Sequence, residues 1–107
     1  MWQSLPHNEY RAVLHPGYYH PRGRQYARIA VMPDGVAIGT GAAGYAREYP
    51  SLEAAQSALA SECCDPSAEL PRLRALLERY VTEDWYYMVR LLESDIRRLQ
   101  RHVTKGV

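Results

Sequence analysis

The chain has 107 residues, of which 47% are apolar and 23% are charged, and its formal net charge is +1. A chain of this length can bury roughly two thirds of its unfolded surface, but it is too short for a barrel enzyme or a complete two-half dinucleotide-binding fold. The apolar content excludes a disordered chain, and the balanced charge excludes a histone-like nucleic-acid binder.

The sequence predicts a cytoplasmic protein with no membrane partner. No apolar run is long enough to cross a bilayer, and the segment Met1–Pro6 lacks the charged start and apolar stretch of a secretory signal. The two cysteines, Cys63 and Cys64, are adjacent and therefore predict no disulfide framework. A reducing compartment fits this cysteine usage.

The first half of the chain predicts three or four antiparallel strands. Alternating apolar residues predict strands over 9–15 and 25–32. Met32-Pro33-Asp34-Gly35 predicts a tight turn, because proline fixes its own φ, aspartate hydrogen-bonds to nearby backbone and glycine tolerates positive φ. A third strand over 36–41 then completes a hairpin, and residues 45–49 predict a fourth strand.

The second half predicts three helices. Ser51 is expected to cap a first helix that ends near Cys63. A second helix is expected from about Leu70 to Val81, after a break at Asp65-Pro66-Ser67. Thr82-Glu83-Asp84 is expected to cap a third helix. The apolar stripe of this third helix comprises Trp85, Met88, Leu92, Ile96, Leu99 and Val103.

This order of elements predicts an α+β fold. We expect one domain over residues 1–107, with a β meander over 1–49 and a helical part over 50–107. The three helices are expected to pack on one face of the sheet, because an amphipathic element must bury its apolar side against another layer.

The segment Gly39–Gly44 matches G-x-G-x-x-G, a pattern in which backbone amides approach a pyrophosphate at the start of a helix. The preceding strand, however, is the return arm of a hairpin, and Pro50 follows too soon for a helix to form. We therefore favour a flexible or bulged strand end. A small enzyme or nucleotide binder at this segment is the third functional hypothesis.

Other catalytic and metal-binding patterns are weak. His7, His15 and His20 lack the spacing of a metal site, and the adjacent side chains of Cys63 and Cys64 diverge. No nucleophile-elbow pattern surrounds any serine. The sequence therefore predicts no catalytic residue, no cofactor and no metal, and a protein that is not an enzyme.

The loop from His15 to Arg24 is the most unusual stretch. Its tyrosines offer stacking faces and its arginines offer charged donors, a combination that suits an acidic protein surface or a single-stranded nucleic acid. The candidate binding residues here are Tyr18, Tyr19, Arg22 and Arg24. The alternative is a long hairpin loop whose tyrosines fold back onto the sheet.

The third helix carries a second candidate surface. Arg90, Arg97 and Arg101 follow at seven- and four-residue steps, and Arg98 and Lys105 extend the basic patch. Such a patch could contact phosphates or an acidic partner. We favour the alternative of a solvated face whose late cations complement the helix dipole.

The same helix is richer in apolar residues than one buried face requires. The excess comes from Trp85, Tyr86, Tyr87, Met88 and Leu91. This pattern predicts packing against a partner, or against a second copy in a homodimer formed through the Trp85–Val103 helix.

Together these features predict a non-enzymatic binding protein that occupies the surface of a macromolecular partner, either a protein or a ribonucleoprotein complex. Small size without catalytic motifs is typical of phage or mobile-element accessory proteins that inhibit a host machine, anti-CRISPR proteins among them. The alternative is a nucleic-acid-binding regulator that uses the arginine-rich C-terminal helix.

Overall fold

The computed structural model describes residues 1–16 and 24–105. Over these residues the chain forms a five-stranded antiparallel sheet followed by three helices, which confirms the α+β class. The strands are β1 (Gln3–Leu5), β2 (Glu9–Val13), β3 (Tyr26–Val31), β4 (Ala37–Thr40) and β5 (Ala46–Tyr49). The helices are α1 (Leu52–Leu59), α2 (Pro66–Thr82) and α3 (Tyr86–Lys105), and a short 3-10 turn, Ala60–Glu62, directly follows α1.

The sheet is a meander in which the spatial order β1-β2-β3-β4-β5 follows the chain. The predicted hairpin between β3 and β4 is confirmed. Gly35 has φ +91° and donates its N–H to the Met32 carbonyl at 2.9 Å. The Asp34 carboxylate accepts from the Val36 N–H at 3.1 Å, as the turn chemistry predicts.

The prediction of three or four strands fell short of the five observed, because β1 was missed. β1 has only three residues, and Gln3 and Ser4 are both polar and exposed, so it shows no apolar alternation. It lies at the sheet edge, where a strand has a single neighbour and no buried face is required. The Arg11 Nε donates to Gln3 Oε1 at 2.7 Å and helps to hold β1 on β2.

Residues Met1–Cys64 form one compact unit, in which α1 packs on the sheet against β3, β4 and β5. The predicted cap is confirmed, since the Ser51 side chain accepts from the Ala54 N–H at 3.1 Å. The core of this unit consists of Leu14, Ala27, Ile29, Ala37, Ala55 and Leu59.

The segment after α1 is hydrogen-bonded to the end of β2. The Cys64 N–H donates to the Val13 carbonyl at 2.9 Å, and the His15 N–H donates to the Glu62 carbonyl at 2.8 Å. Leu14 and Cys63 form an isolated antiparallel bridge between these two bonds. The backbone of Glu62 is therefore fixed relative to the sheet.

Residues Asp65–Val107 form a second compact unit, in which α2 and α3 pack against each other. The predicted break at Asp65-Pro66-Ser67 is instead the start of α2. The Asp65 side chain accepts from the Ser67 N–H at 3.1 Å, and Pro66 occupies the first turn, where a missing N–H costs nothing. Pro71 consequently lies inside α2 and not in its first turn.

The apolar stripe predicted for α3 is confirmed in its centre. Leu92, Ile96 and Leu99 are buried, whereas Met88 and Val103 are half-buried. Trp85 does not belong to the stripe, because α3 begins one residue later and the indole is mostly exposed.

Candidate partner-binding site

Large apolar side chains are exposed at the turn between α2 and α3. Trp85 is 54% exposed, Tyr86 71% and Tyr87 75%. Val81 at the end of α2 and Leu91 in the second turn of α3 are also exposed. We call these five residues, together with Tyr80, the aromatic end. Soluble monomers rarely expose a large cluster of this kind unless it binds something.

Backbone geometry at the end of α2 fixes the position of this cluster. The Trp85 N–H donates to the Tyr80 carbonyl at 3.0 Å, and the Asp84 N–H donates to the Val81 carbonyl at 3.2 Å. Asp84 has φ +58°, so the chain leaves α2 through a left-handed residue in a Schellman motif. The predicted cap of the third helix, Thr82-Glu83-Asp84, is thus the C-terminal cap of α2.

The Schellman motif also gives the exposed Trp85 ring a neighbour to pack against. In this motif the residue after the left-handed position makes an apolar contact with the third residue from the helix end. Here that contact is the stack of Trp85 on Tyr80, with ring centroids 5.4 Å apart and an interplanar angle of 10°. The indole is therefore held in one orientation before any partner binds, which lowers the entropic cost of binding.

Charged groups of both signs surround the aromatic end. Arg79 Nε pairs with Glu83 Oε1 at 3.2 Å, and the Tyr86 hydroxyl donates to Asp84 Oδ1 at 3.4 Å. Arg90 is exposed one turn after Tyr86 on α3. An aromatic centre with a mixed polar rim is the anatomy of a protein–protein interface.

The predicted basic residues of α3 divide into two groups. Arg90, Arg97 and Arg101 are exposed, and their spacing places them on one side of the helix. Arg98 is half-buried and lies apart from this row. Exposed Glu93, four residues before Arg97, lowers the positive potential along the row.

The loop prediction falls largely on residues that the structure does not cover. Tyr18, Tyr19 and Arg22 lie outside the described residues. Arg24 is described and belongs to the first unit, where it is half-buried with its Nε shielded from solvent.

The glycine segment forms the end of β4 and the turn into β5, whereas a phosphate-binding loop leads from a strand into a helix. A Cβ atom at Gly41 would lie 2.9 Å from both carboxylate oxygens of Glu62 and from the Leu59 side chain. A Cβ atom at Gly39 would lie 3.0 Å from the Tyr49 ring. Close packing therefore accounts for these two glycines.

The cysteines are free thiols in the first unit, Cys64 buried and Cys63 half-buried. The pKa of the Cys63 thiol is raised to about 11, chiefly by burial and in smaller part by the charges of Glu62 and Cys64. An activated nucleophile requires the opposite shift, because the thiolate is the reactive form.

In the part of the chain that the structure describes, no group of three His, Cys, Asp or Glu side chains could hold a metal ion. None of the helices in this part has the length and apolar character needed to span a bilayer.

Comparisons with protein-family models, with curated proteins and with solved structures find no match to this chain.

Proposed function

We propose that this chain is a non-enzymatic binding protein that docks on a protein partner through its aromatic end. The observation that carries the proposal is the exposed cluster of Trp85, Tyr86 and Tyr87 at the turn between α2 and α3, where Trp85 stacks on Tyr80. Tryptophan, tyrosine and arginine are the residues most enriched at binding hot spots, and Arg90 supplies the last of these. Exposed aromatic rings oppose solubility. The stability of the fold does not account for their exposure, whereas a binding role does.

The size of the cluster suits the centre of an interface. An aromatic side chain buries about 150–250 Å² when fully covered. Three such side chains, each more than half exposed, offer on the order of 350 Å². A standard interface takes about 800 Å² from each partner. The aromatic end therefore supplies the anchors, and neighbouring polar residues supply the rim.

Binding to nucleic acid through α3 is the second candidate. It is supported by the exposed row of Arg90, Arg97 and Arg101, whereas half-buried Arg98 lies apart from this row. The row contains few charges, and Glu93 opposes it, so we rank it below the aromatic end. That the protein inhibits a host machine, as phage accessory proteins do, stays a prediction from size and composition.

The proposal is tested by capture of the partner from a lysate of the source organism, with nuclease present. Tyr87→Ser removes a 75%-exposed ring from the aromatic end, and Met32→Ser removes a 36%-exposed apolar side chain from the first unit. We expect mass spectrometry to find one defined protein with the wild type and with Met32→Ser. Its recovery should fall at least tenfold with Tyr87→Ser, as hot-spot residues do on truncation.

Equal recovery with both variants would contradict the proposal. Two other results would instead favour the hypothesis that the α3 arginines bind nucleic acid. These are recovery that vanishes with nuclease and an affinity that falls linearly on a log–log salt plot.

A further inference from the structure

The first unit contains a cavity of about 120 Å³ between the end of β4, the edge strand β5 and the residues that follow α1. Gly39, Gly41, Tyr45 and Tyr49 line it, together with Leu59 of α1 and Glu62. The cavity lies in a different unit from the aromatic end and is independent of the function proposed above.

The position of the Glu62 carboxylate is fixed from two directions. Its backbone carbonyl accepts from the His15 N–H at 2.8 Å, and its Oε1 accepts from the Ala42 N–H at 3.0 Å. A carboxylate has about four lone-pair positions, so one hydrogen bond leaves most of its acceptor capacity for a ligand. The missing side chain at Gly41 is what allows the carboxylate to lie here.

The charge in the cavity favours a cation. Glu62 is half-buried, whereas Arg47, which also lines the cavity, is exposed on β5. Solvent and salt screen an exposed charge more strongly than a partly buried one, so the carboxylate dominates the interior. The faces of tyrosine rings also attract cations, and Tyr45 and Tyr49 both line the cavity.

The volume limits what can enter. A water molecule takes about 30 Å³ of liquid, so the cavity has room for a head group of a few heavy atoms. Pockets for nucleotides and other drug-sized ligands hold at least about 300 Å³.

We infer that this cavity binds a guanidinium or ammonium group through the Glu62 carboxylate and the tyrosine rings. Two sources carry this chemistry: a small free organic cation, and a basic side chain of an extended peptide. The second source fits the position of the cavity at β5, because an edge strand can pair with an added strand while a neighbouring pocket receives a side chain.

The test is an amide NMR titration of the full chain with methylguanidinium, and separately with a capped hexapeptide that contains one arginine. We expect the Gly39, Gly41 and Ala42 amides to shift, with a Kd for methylguanidinium on the order of 1–10 mM, as its few atoms allow. Tighter binding of the peptide, with shifts along β5, identifies a peptide site. Equal affinities identify a site for a free cation.

Glu62→Gln is the decisive variant, because glutamine keeps the acceptor for Ala42 and removes the charge. We expect it to weaken binding at least tenfold. Glu48→Gln removes an exposed carboxylate from the same edge strand without touching the cavity, and should leave the affinity unchanged. Tyr45→Ser offers a second variant that leaves Glu62 in place, and should weaken binding several-fold.

Three results would overturn the inference. One is the absence of shifts at Gly39, Gly41 and Ala42 with both probes at about 10 mM. Another is equal affinity in wild type and Glu62→Gln. The third is a shift of the same amides by adenosine monophosphate but not by methylguanidinium, which would restore the nucleotide hypothesis for the glycine segment.

Discussion

At the scale of single residues, Asp84 connects backbone strain to the aromatic end. A residue with a side chain pays about 1–2 kcal/mol to adopt the left-handed conformation, although aspartate tolerates it better than most. The positive φ of Asp84 orients Trp85 onto Tyr80. The sequence does not predict the left-handed conformation of Asp84, since glycine usually occupies such a position.

Asp84→Gly should therefore raise the free energy of unfolding by about 0.5 kcal/mol, because glycine adopts positive φ without a steric penalty. Asp84→Val should lower it by about 1–2 kcal/mol, since a β-branched residue is an outlier there. Urea denaturation measures both changes. A loss of stability with both variants would show that the Asp84 carboxylate matters more than its backbone.

Cys63 gives a prediction that depends on pH. With its pKa at about 11 against the ordinary 9.0, its thiolate fraction at pH 8 is about one hundredfold smaller than that of a free cysteine. Iodoacetamide should alkylate Cys63 about one hundredfold more slowly than it alkylates a cysteine peptide, and the rate should rise up to about pH 11. An alkylation rate equal to that of the peptide would contradict the burial of this thiol.

The same shift affects stability. Because the folded state holds the Cys63 proton more tightly than the unfolded state, the contribution of Cys63 to the free energy of unfolding should be constant below about pH 9 and fall as the pH rises towards about 11. Cys63→Ala should remove this alkaline decrease. A decrease of the same size in the variant would assign it to another group.

At the scale of elements, the sequence predicts a feature correctly where a single side chain or a single hydrophobic period determines it. The β3–β4 turn and the Ser51 cap follow from local chemistry and are confirmed. The start of α2 was misplaced because Asp65-Pro66 is typical both of a chain break and of a helix N-terminus. The hydrogen bond from the Ser67 N–H to the Asp65 side chain distinguishes a helix N-terminus from a chain break, and this bond is visible only in the three-dimensional structure.

Asp65→Ala should lower the free energy of unfolding by about 1 kcal/mol, because the Ser67 N–H loses its acceptor. Ser67→Ala is the matched control, since Ser67 takes part in the cap through its backbone and should change stability by less than about 0.5 kcal/mol. Thermal unfolding followed by circular dichroism compares the two. Equal losses would show that the cap does not stabilise α2.

At the scale of the whole molecule, the candidate surfaces belong to two compact units. The sequence identifies the aromatic excess of α3, because Trp85, Tyr86 and Tyr87 exceed what one stripe can bury. It does not identify the cavity of the first unit, because that cavity depends on the contact of Glu62 with Ala42, in the turn after β4, across twenty residues of chain. The spacing of residues along the sequence does not predict such a contact.

The oligomeric state is connected to what α3 has already buried. Leu92, Ile96 and Leu99 are covered within the chain, so the apolar stripe of α3 is not available to a second copy, whereas the aromatic end is exposed. Because we assign the aromatic end to a different protein partner, we expect a monomer at micromolar concentration by light scattering after gel filtration. A stable dimer abolished by Tyr87→Ser would instead make a second copy the occupant of the aromatic end.

The meander has a consequence for how the chain acquires its structure during synthesis. Every strand pairs with its neighbour in sequence, so each hairpin can form as soon as its second strand emerges, and such local pairing favours rapid folding. The bridge between Leu14 and Cys63 is different, because it joins the end of β2 to a segment made much later. Closure of the first unit therefore awaits Cys64, because the bonds of Val13 and His15 across this bridge can form only after residues 62–64 have left the ribosome.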